Sequence, residues 1–317
     1  MPAHRPSDTS GTAAQDTANP RPTEPAKPAP SAFQRNSAAE KAGLLIEALS
    51  YIGKFKGHIV VIKYGGAAMV QEPFKAAFAQ DVVLLQSLGM LPVIVHGGGP
   101  EVTQAMKAMG QEAQFVEGLR VTNRESLRIT EMVLSGTVNK EIIAHLNRAG
   151  GNGVGVSGKD GRLIRARKMD NVKGIDLGFV GEIVQINADL LRLLLDHGYI
   201  PVVSPIGMGE DGHTYNINAD TAASRIAAAL KAQKMLFMTD VDGVLHNGKL
   251  VSTLTAHQAV ELINTGVITG GMLPKVEALL HCLAHGVTSA HIINGTDQHA
   301  IIAELFTDRG IGTVITG

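Results

Sequence analysis

Five short runs, HIVVIK, LPVIVH, YIPVVSP, KMLFMTD and SAHIIN, are dense in apolar residues without a regular polar alternation. Runs of that kind suit strands covered on both faces. Between them lie longer stretches, FKAAFAQDVVLLQSL, ESLRITEMVLSGTVNKEIIAHL, DTAASRIAAALKA and PKVEALLHCLAHG, whose apolar positions recur every three or four residues and predict helices. The alternation predicts an α/β fold with a mainly parallel central sheet. RLIRARK and GFVGEIVQI, within 162 to 185, read instead as a β-ribbon projecting between helices. Ahead of the first strand, Leu45, Leu49, Ile52 and Phe55 form one stripe with Glu40, Lys41, Glu47 and Lys54 between them. This predicts an amphipathic helix over 37–56, packed either on the main body or on another subunit. Residues 1–36, with PRPTEPAKPAPSA, offer almost nothing large to bury and predict a disordered tail.

Composition narrows the function classes. A chain of 317 residues that is 44% hydrophobic can bury a sizeable core, in one large or two coupled domains. Its net charge of -1 leaves no basic excess for nucleic acid or an anionic membrane, so small molecules are the expected partners. One cysteine, Cys282, excludes an intrachain disulfide and fits a reducing compartment, and no cluster of Cys and His predicts a dedicated metal site. No run is long enough to cross a bilayer, and the N-terminus lacks the apolar core of a secretory signal. A cytoplasmic address is expected.

The candidate chemistry lies in loops at strand ends, where open α/β sheets place ligands. The first strand ends in Lys63 and runs into Tyr64-Gly65-Gly66, a charge beside backbone amides free of Cβ interference. The second runs into Gly97-Gly98-Gly99-Pro100 and then a helix whose N-terminus adds partial positive charge. Either loop alone is compatible with a plain tight turn; together they suggest an oxyanion site. Gly153, Gly155 and Gly158 match G-x-G-x-x-G, and with Lys159 nearly a P-loop, but no helix follows and Asp160 replaces the Ser or Thr. These glycines are read as a turn between strands, which removes the dehydrogenase and Walker-type readings. Asp220 or a neighbour caps a helix or serves a site, and Asp240-Val241-Asp242-Gly243 is a polar loop after a strand. Thr269-Gly270-Gly271 leads into a helix carrying Lys275 in its first turn, a cation where the helix dipole disfavours one.

The motifs VIKYGG, VHGGGPEV, GLRVT, NINADTAA, TDVDGVL, TGGMLPKV and ELFTDRGIGTVI stand in one order, and from about Ser37 to Gly317 the sequence resembles the acetylglutamate kinases, a branch of the amino acid kinases. The resemblance implies a three-layer αβα sandwich, with a lobe over 57–206 for N-acetyl-L-glutamate and one over 207–317 for ATP with Mg2+. It implies that Lys63 and Lys275 stabilise the transferring phosphoryl group and that Asp220 orients both. Gly98 and Gly99 on the substrate side, and Gly65 and Gly66 on the nucleotide side, would supply backbone donors. Arg120 and Asn216 would hold the rest of acetylglutamate. Asp240, Asp242, Gly243, Thr269, Gly270 and Gly271 would surround the nucleotide, with the metal held mainly by its phosphates.

The N-terminal helix resembles that of the arginine-inhibited branch, whose subunits interlace such helices into hexamers. Tyr51, His291, Glu304 and Gly310 match positions associated there with L-arginine. The chain departs from that branch at Asn294-Gly295-Thr296, where Asp-Gly-Arg is common. Arginine biosynthesis and feedback inhibition by L-arginine are therefore expected. The chemistry needs no general base, because a carboxylate of pKa near ~4 is already an anion at neutral pH. Kinases of glutamate, aspartate, carbamate or nucleoside monophosphates are the nearest rivals, with a non-catalytic arginine sensor behind them.

Overall fold

The structure is a computed structural model that describes residues 53, 55–307 and 309–317. The predicted tail and nearly all of the predicted helix at 37–56, with Tyr51, lie outside the described residues. In chain order the strands named below are β1 Ile59–Tyr64, β2 Leu91–His96, β3 Gly153–Ser157, β4 Ile164–Lys168, β5 Gly181–Ile186, β6 Ile200–Ser204, β7 Ile206–Met208, β8 Thr214–Asn216, β9 Lys234–Thr239, β10 Thr253–Thr255, β11 Ser289–Asn294 and β12 Thr313–Thr316. The helices are α1 Glu72–Ser87, α2 Gly99–Ala108, α3 Arg124–Glu131, α4 Asn139–Arg148, α5 Asp189–Asp196, α6 Ala219–Leu230, α7 Ala256–Asn264, α8 Leu273–Ala284 and α9 Ala300–Leu305.

Eight strands form the central sheet in the order β10-β12-β11-β9-β1-β2-β6-β3, and only the β11–β12 pair is antiparallel. Within this sheet the strands before residue 206 run from β1 to one edge and the later ones from β9 to the other. The chain therefore reverses its direction of travel at β1, and the crevice outside the carboxyl ends of β1, β2 and β9 is where such sheets hold ligands. Alternation along β1 sets its two faces: Val60, Ile62 and Tyr64 enter the core shared with α1 and α4, while Val61 enters the core shared with α6 and α8. Lys63 follows Val61 in that alternation, which sends its side chain toward α6.

The five apolar runs form β1, β2, β6, β9 and β11, buried along nearly their whole length, as expected of central parallel strands. The expected ribbon is the antiparallel β4–β5 pair, which β7 and β8 widen into a second, four-stranded sheet. One reading is corrected. The glycines at 153 and 155 do not form a turn; they lie in β3, an edge strand parallel to β6. A Cβ at Gly155 would collide with Asn139 Oδ1 and Ile143 of α4, so glycine serves the close approach of helix and strand rather than a bend. The helix expected from 125 to 146 is present, running through α3 and α4, with a π-helical stretch, Met132–Val138, between them. That wider turn carries Leu134 against Gly98 and Ser135 Oγ within 2.8 Å of Ser204 Oγ, both beside the crevice. Among the described residues no helix is long and apolar enough to cross a membrane.

Candidate active site

Lys63, Asp220 and Lys275 come from three elements and meet at one carboxylate. Asn218 caps α6 by accepting from Thr221 N at 3.0 Å, so Asp220 sits one position inside the helix with its carboxylate free for other partners. The buried face of α6 is mostly small, with Ala222, Ala223 and Ala227, and Ser224 Oγ donates to Ala278 O of α8 at 2.5 Å. Close packing of α6 on α8 brings Lys275 Nζ to 3.0 Å from Asp220 Oδ2. Lys63 Nζ lies 3.0 Å from Oδ1 as an ion pair without hydrogen-bond alignment. Burial alone would raise the Asp220 carboxyl, but the charges of Lys63 and Lys275 outweigh it and hold the group below the usual carboxylate range. The misplaced cation at the start of α8 is thus answered by Asp220. A Cβ at Gly65 would stand 2.9 Å from Lys63 Nζ, so glycine lets the ammonium lie across the loop.

Beside this group opens a cleft of about 200 Å³ lined by Gly98, Gly99, Arg120 and Asn216, with Phe115, Leu134, Val180 and Pro205 as apolar wall. Gly98 has φ 143°, and a Cβ there would meet Leu134 Cδ2 at 2.6 Å, so conformation and space both require glycine. The N–H groups of Gly98 and Gly99 have no protein acceptor among the described residues. Buried Arg120 donates from Nη2 to Gly99 O at 2.9 Å and Thr103 Oγ1 at 2.8 Å, and its guanidinium covers the Phe115 ring at 4.7 Å. Burial lowers its pKa, yet a guanidinium remains charged at neutral pH. Asn216 Nδ2 donates to Thr122 Oγ1 at 3.3 Å, and that hydroxyl donates to Arg120 O at 2.8 Å, which joins the two residues through Thr122. Thr122 belongs to the motif GLRVT read from sequence, whereas Thr103 and Phe115 were not singled out, because nothing local marks them as neighbours of Arg120.

Exposed Asp240 and Asp242 follow β9, and Gly243 is buried with φ 149°, its hydrogen side facing Thr313 Oγ1. Thr269, Gly270 and Gly271 are exposed just ahead of α8. No hydrogen bond joins these loops to the lysine–aspartate group among the described residues. Asn294, at the end of β11, donates to Asp242 Oδ1 at 2.8 Å and accepts from Thr296 N and Oγ1. The departure at Asn294-Gly295-Thr296 therefore borders the Asp240–Asp242 loop.

His291, Glu304 and Gly310 are brought together elsewhere. His291 Nδ1 donates to Glu304 Oε1 at 2.7 Å, and Glu304 Oε2 accepts from Ile311 N and Gly312 N at 2.8 and 3.0 Å. Burial holds the imidazole below its ordinary pKa. Burial would also raise Glu304, but the bonds from His291 and the two amides outweigh it and keep the carboxylate ionised. Gly310, at φ 61°, leaves no room for a Cβ, which would stand 2.6 Å from Glu304 Oε2. At another place, Glu72, Glu141 and His145 bring three candidate ligand atoms within 4.8 Å, but Lys75 already pairs with both carboxylates.

Two cations on one part-buried aspartate thus stand beside a glycine-lined cleft. The amino acid kinase family model matches residues 58–294. The chain is 53% identical to an acetylglutamate kinase of Methanocaldococcus jannaschii over 289 residues, 87% of this chain and 96% of that one. It is 51% identical to an acetylglutamate kinase of Syntrophus aciditrophicus over 284 residues, 86% and 96% of the two chains. Among solved structures it resembles the N-acetylglutamate synthase of Neisseria gonorrhoeae in complex with coenzyme A and N-acetyl-glutamate, with a TM-score of 0.79 and 28% identity. That likeness covers 89% of this chain but only 64% of the synthase, so the chain spans just under two thirds of that protein's length. The chain belongs to the amino acid kinase family and is a kinase.

Proposed function

We propose that the chain transfers the γ-phosphoryl group of ATP to the side-chain carboxylate of N-acetyl-L-glutamate, releasing ADP and N-acetyl-L-glutamyl 5-phosphate. The observation that carries this reading is the placing of Lys63 and Lys275 on either side of Asp220, next to a cleft of free glycine amides. Two anions must meet in this reaction, so cations and N–H donors are the groups that lower its barrier. Asp220, held as an anion, fixes both ammonium groups without neutralising their sum, which leaves a net positive charge for the phosphoryl oxygens. The Gly98 and Gly99 amides stand ready for an oxyanion. Arg120, fixed by Gly99, Thr103 and Phe115, offers its remaining N–H groups to the α-carboxylate.

The residues fit a metal that arrives with the nucleotide. Asp220 is committed to the lysines, and Asp240 and Asp242 offer exposed oxygen ligands in the loop after β9. Magnesium would supply charge neutralisation on the phosphates. We read the strands before 206 as the acetylglutamate lobe and those after as the nucleotide lobe, with the reaction in the cytoplasm as a step of arginine biosynthesis.

Acceptor choice follows from the cleft's chemistry. Its lining contains no acidic residue, so the free ammonium of glutamate would be desolvated without a counter-charge, whereas an acetamide would find Asn216 and Asn218. ATP consumption with N-acetyl-L-glutamate should exceed that with L-glutamate by about 10²-fold in kcat/KM, the scale of a few kcal/mol. Equal rates with the two acceptors would contradict the assignment.

L-Arginine as a feedback inhibitor is the second part of this reading, motivated by the His291–Glu304 pair with Gly310. An ionised, buried carboxylate there suits a guanidinium, and Tyr51 would approach from the helix over 37–56. Arginine should suppress turnover of the full chain and leave a chain lacking residues 1–56 active and unresponsive. Sizing of the two chains should show a hexamer reduced to dimers. An arginine response that survives the deletion would remove the helix from the mechanism.

A further inference from the structure

His96 ends β2 with no solvent exposure and is absent from every role described above. The groups around it determine its protonation. Asn139 Nδ2 lies 2.9 Å from Val202 O, which can only accept, and Lys140 Nζ donates to Asn139 Oδ1 at 3.1 Å. The Asn139 amide therefore has one orientation, with its NH2 toward His96 Nε2 at 3.2 Å. Nε2 must accept, so the proton of the neutral ring is on Nδ1, where it is donated to Gly97 O at 2.7 Å. Burial, which pushes the imidazole pKa down to about 4, keeps the ring neutral.

The bond has a consequence one atom further along. No peptide in the described chain is cis, and in a trans peptide the C=O and the following N–H point in opposite directions. Pulling the Gly97 carbonyl back toward His96 aims the Gly98 N–H the other way, toward the cleft that Gly97, Gly98 and Gly99 line. Gly97 N, bonded to Tyr64 O at 2.8 Å, fixes the near end of the same peptide pair. Gly98 has no side chain to hold its own plane, and its φ of 143° is open to a glycine among several alternatives.

We propose that His96 is a positioning residue for phosphoryl transfer: in its Nδ1-protonated form, set by Asn139, it clamps the Gly97–Gly98 peptide so that the Gly98 amide is aimed at the reacting oxyanion. The inference rests on the proposed reaction for its kinetic arm and is independent of it for its spectroscopic arm.

Asn places a side-chain N–H2 as many bonds from Cα as His Nδ1, whereas Gln matches Nε2 instead. His96→Gln should therefore lower kcat by about 10²-fold with KM for ATP little changed, because a donor mis-aimed by about an ångström costs that order. His96→Asn, which retains the donor, should recover most of that loss. Wild-type kcat in His96→Gln, or His96→Asn impaired as deeply as His96→Gln, would overturn the proposal while leaving the reaction itself intact. The tautomer is read separately in the wild-type chain with 15N-labelled histidine, the His96 signals being assigned by their loss in either variant. A proton on Nδ1 and a bare Nε2 at neutral pH is the expected result. The opposite tautomer or a charged ring would overturn the proposal whatever the acceptor, even if the variants failed to fold.

Discussion

Lys63→Ala is expected to lower kcat by about 10²–10³-fold while the protein stays folded, the scale of losing one preorganised donor to a developing anion. Fold retention follows from the partners left behind. Asp220 keeps Lys275 at 3.0 Å, so its carboxylate is not left without a counter-charge. Lys275→Ala is the mirror case, with Lys63 retained on Oδ1. The two losses should not add in the double variant, because both lysines are held by one carboxylate and act on one phosphoryl group. Turnover by acceptor-dependent ADP release, alongside a thermal melt of each variant, makes the check. Near-normal kcat in either single variant would take that lysine out of the mechanism.

Asp220→Asn should be as damaging by a different route. Two ammonium groups that share an anion at 3.0 Å would face each other across a neutral amide, and repulsion would drive them off their positions. A loss of about 10²-fold in kcat is expected, the cost of misplacing catalytic groups. This residue also carries a pH signature. Its native pKa lies below the ordinary carboxylate value, so its stabilising contribution is fully present above about pH 4 and is lost as pH falls through the depressed native value. The stability gap between wild type and Asp220→Asn should therefore be level from neutral pH down to about 4 and shrink below it. Unfolding midpoints in denaturant, taken across that range, would show it; a gap that widens on acidification would contradict the depressed pKa.

How much of this was legible in the sequence depends on how local the cause was. β1, β2, β6, β9 and β11 are central strands whose burial on both faces forces uninterrupted apolar runs, and such runs can be read directly. β3 was missed because its glycines answer to α4 packed against them, a contact no local pattern records. β7 and β8 are three residues each and owe their pairing to the β4–β5 ribbon. The π-helical turn at Met132–Val138 keeps the apolar spacing of an ordinary helix nearly intact, so periodicity reads straight through it.

The candidate site divides in the same way. Glycine loops after strands and a lysine at the wrong end of a helix are local anomalies, and they drew attention to Gly65, Gly98 and Lys275. That Lys275 and Lys63 share Asp220 is a product of the sheet order and the small face of α6, and it was available beforehand only through family resemblance. The clamp through His96 could not be read at all, since it depends on Asn139, Val202 and Gly97 meeting around one ring.

The central claim is that these groups transfer phosphate to a carboxylate. Incubation of the full chain with ATP, Mg2+ and N-acetyl-L-glutamate in the presence of hydroxylamine tests it most directly, because an acyl phosphate is trapped as a hydroxamate and a phosphate monoester is not. Hydroxamate formed in step with ADP, and abolished without acetylglutamate, is the predicted result. ADP release with no hydroxamate would contradict the account.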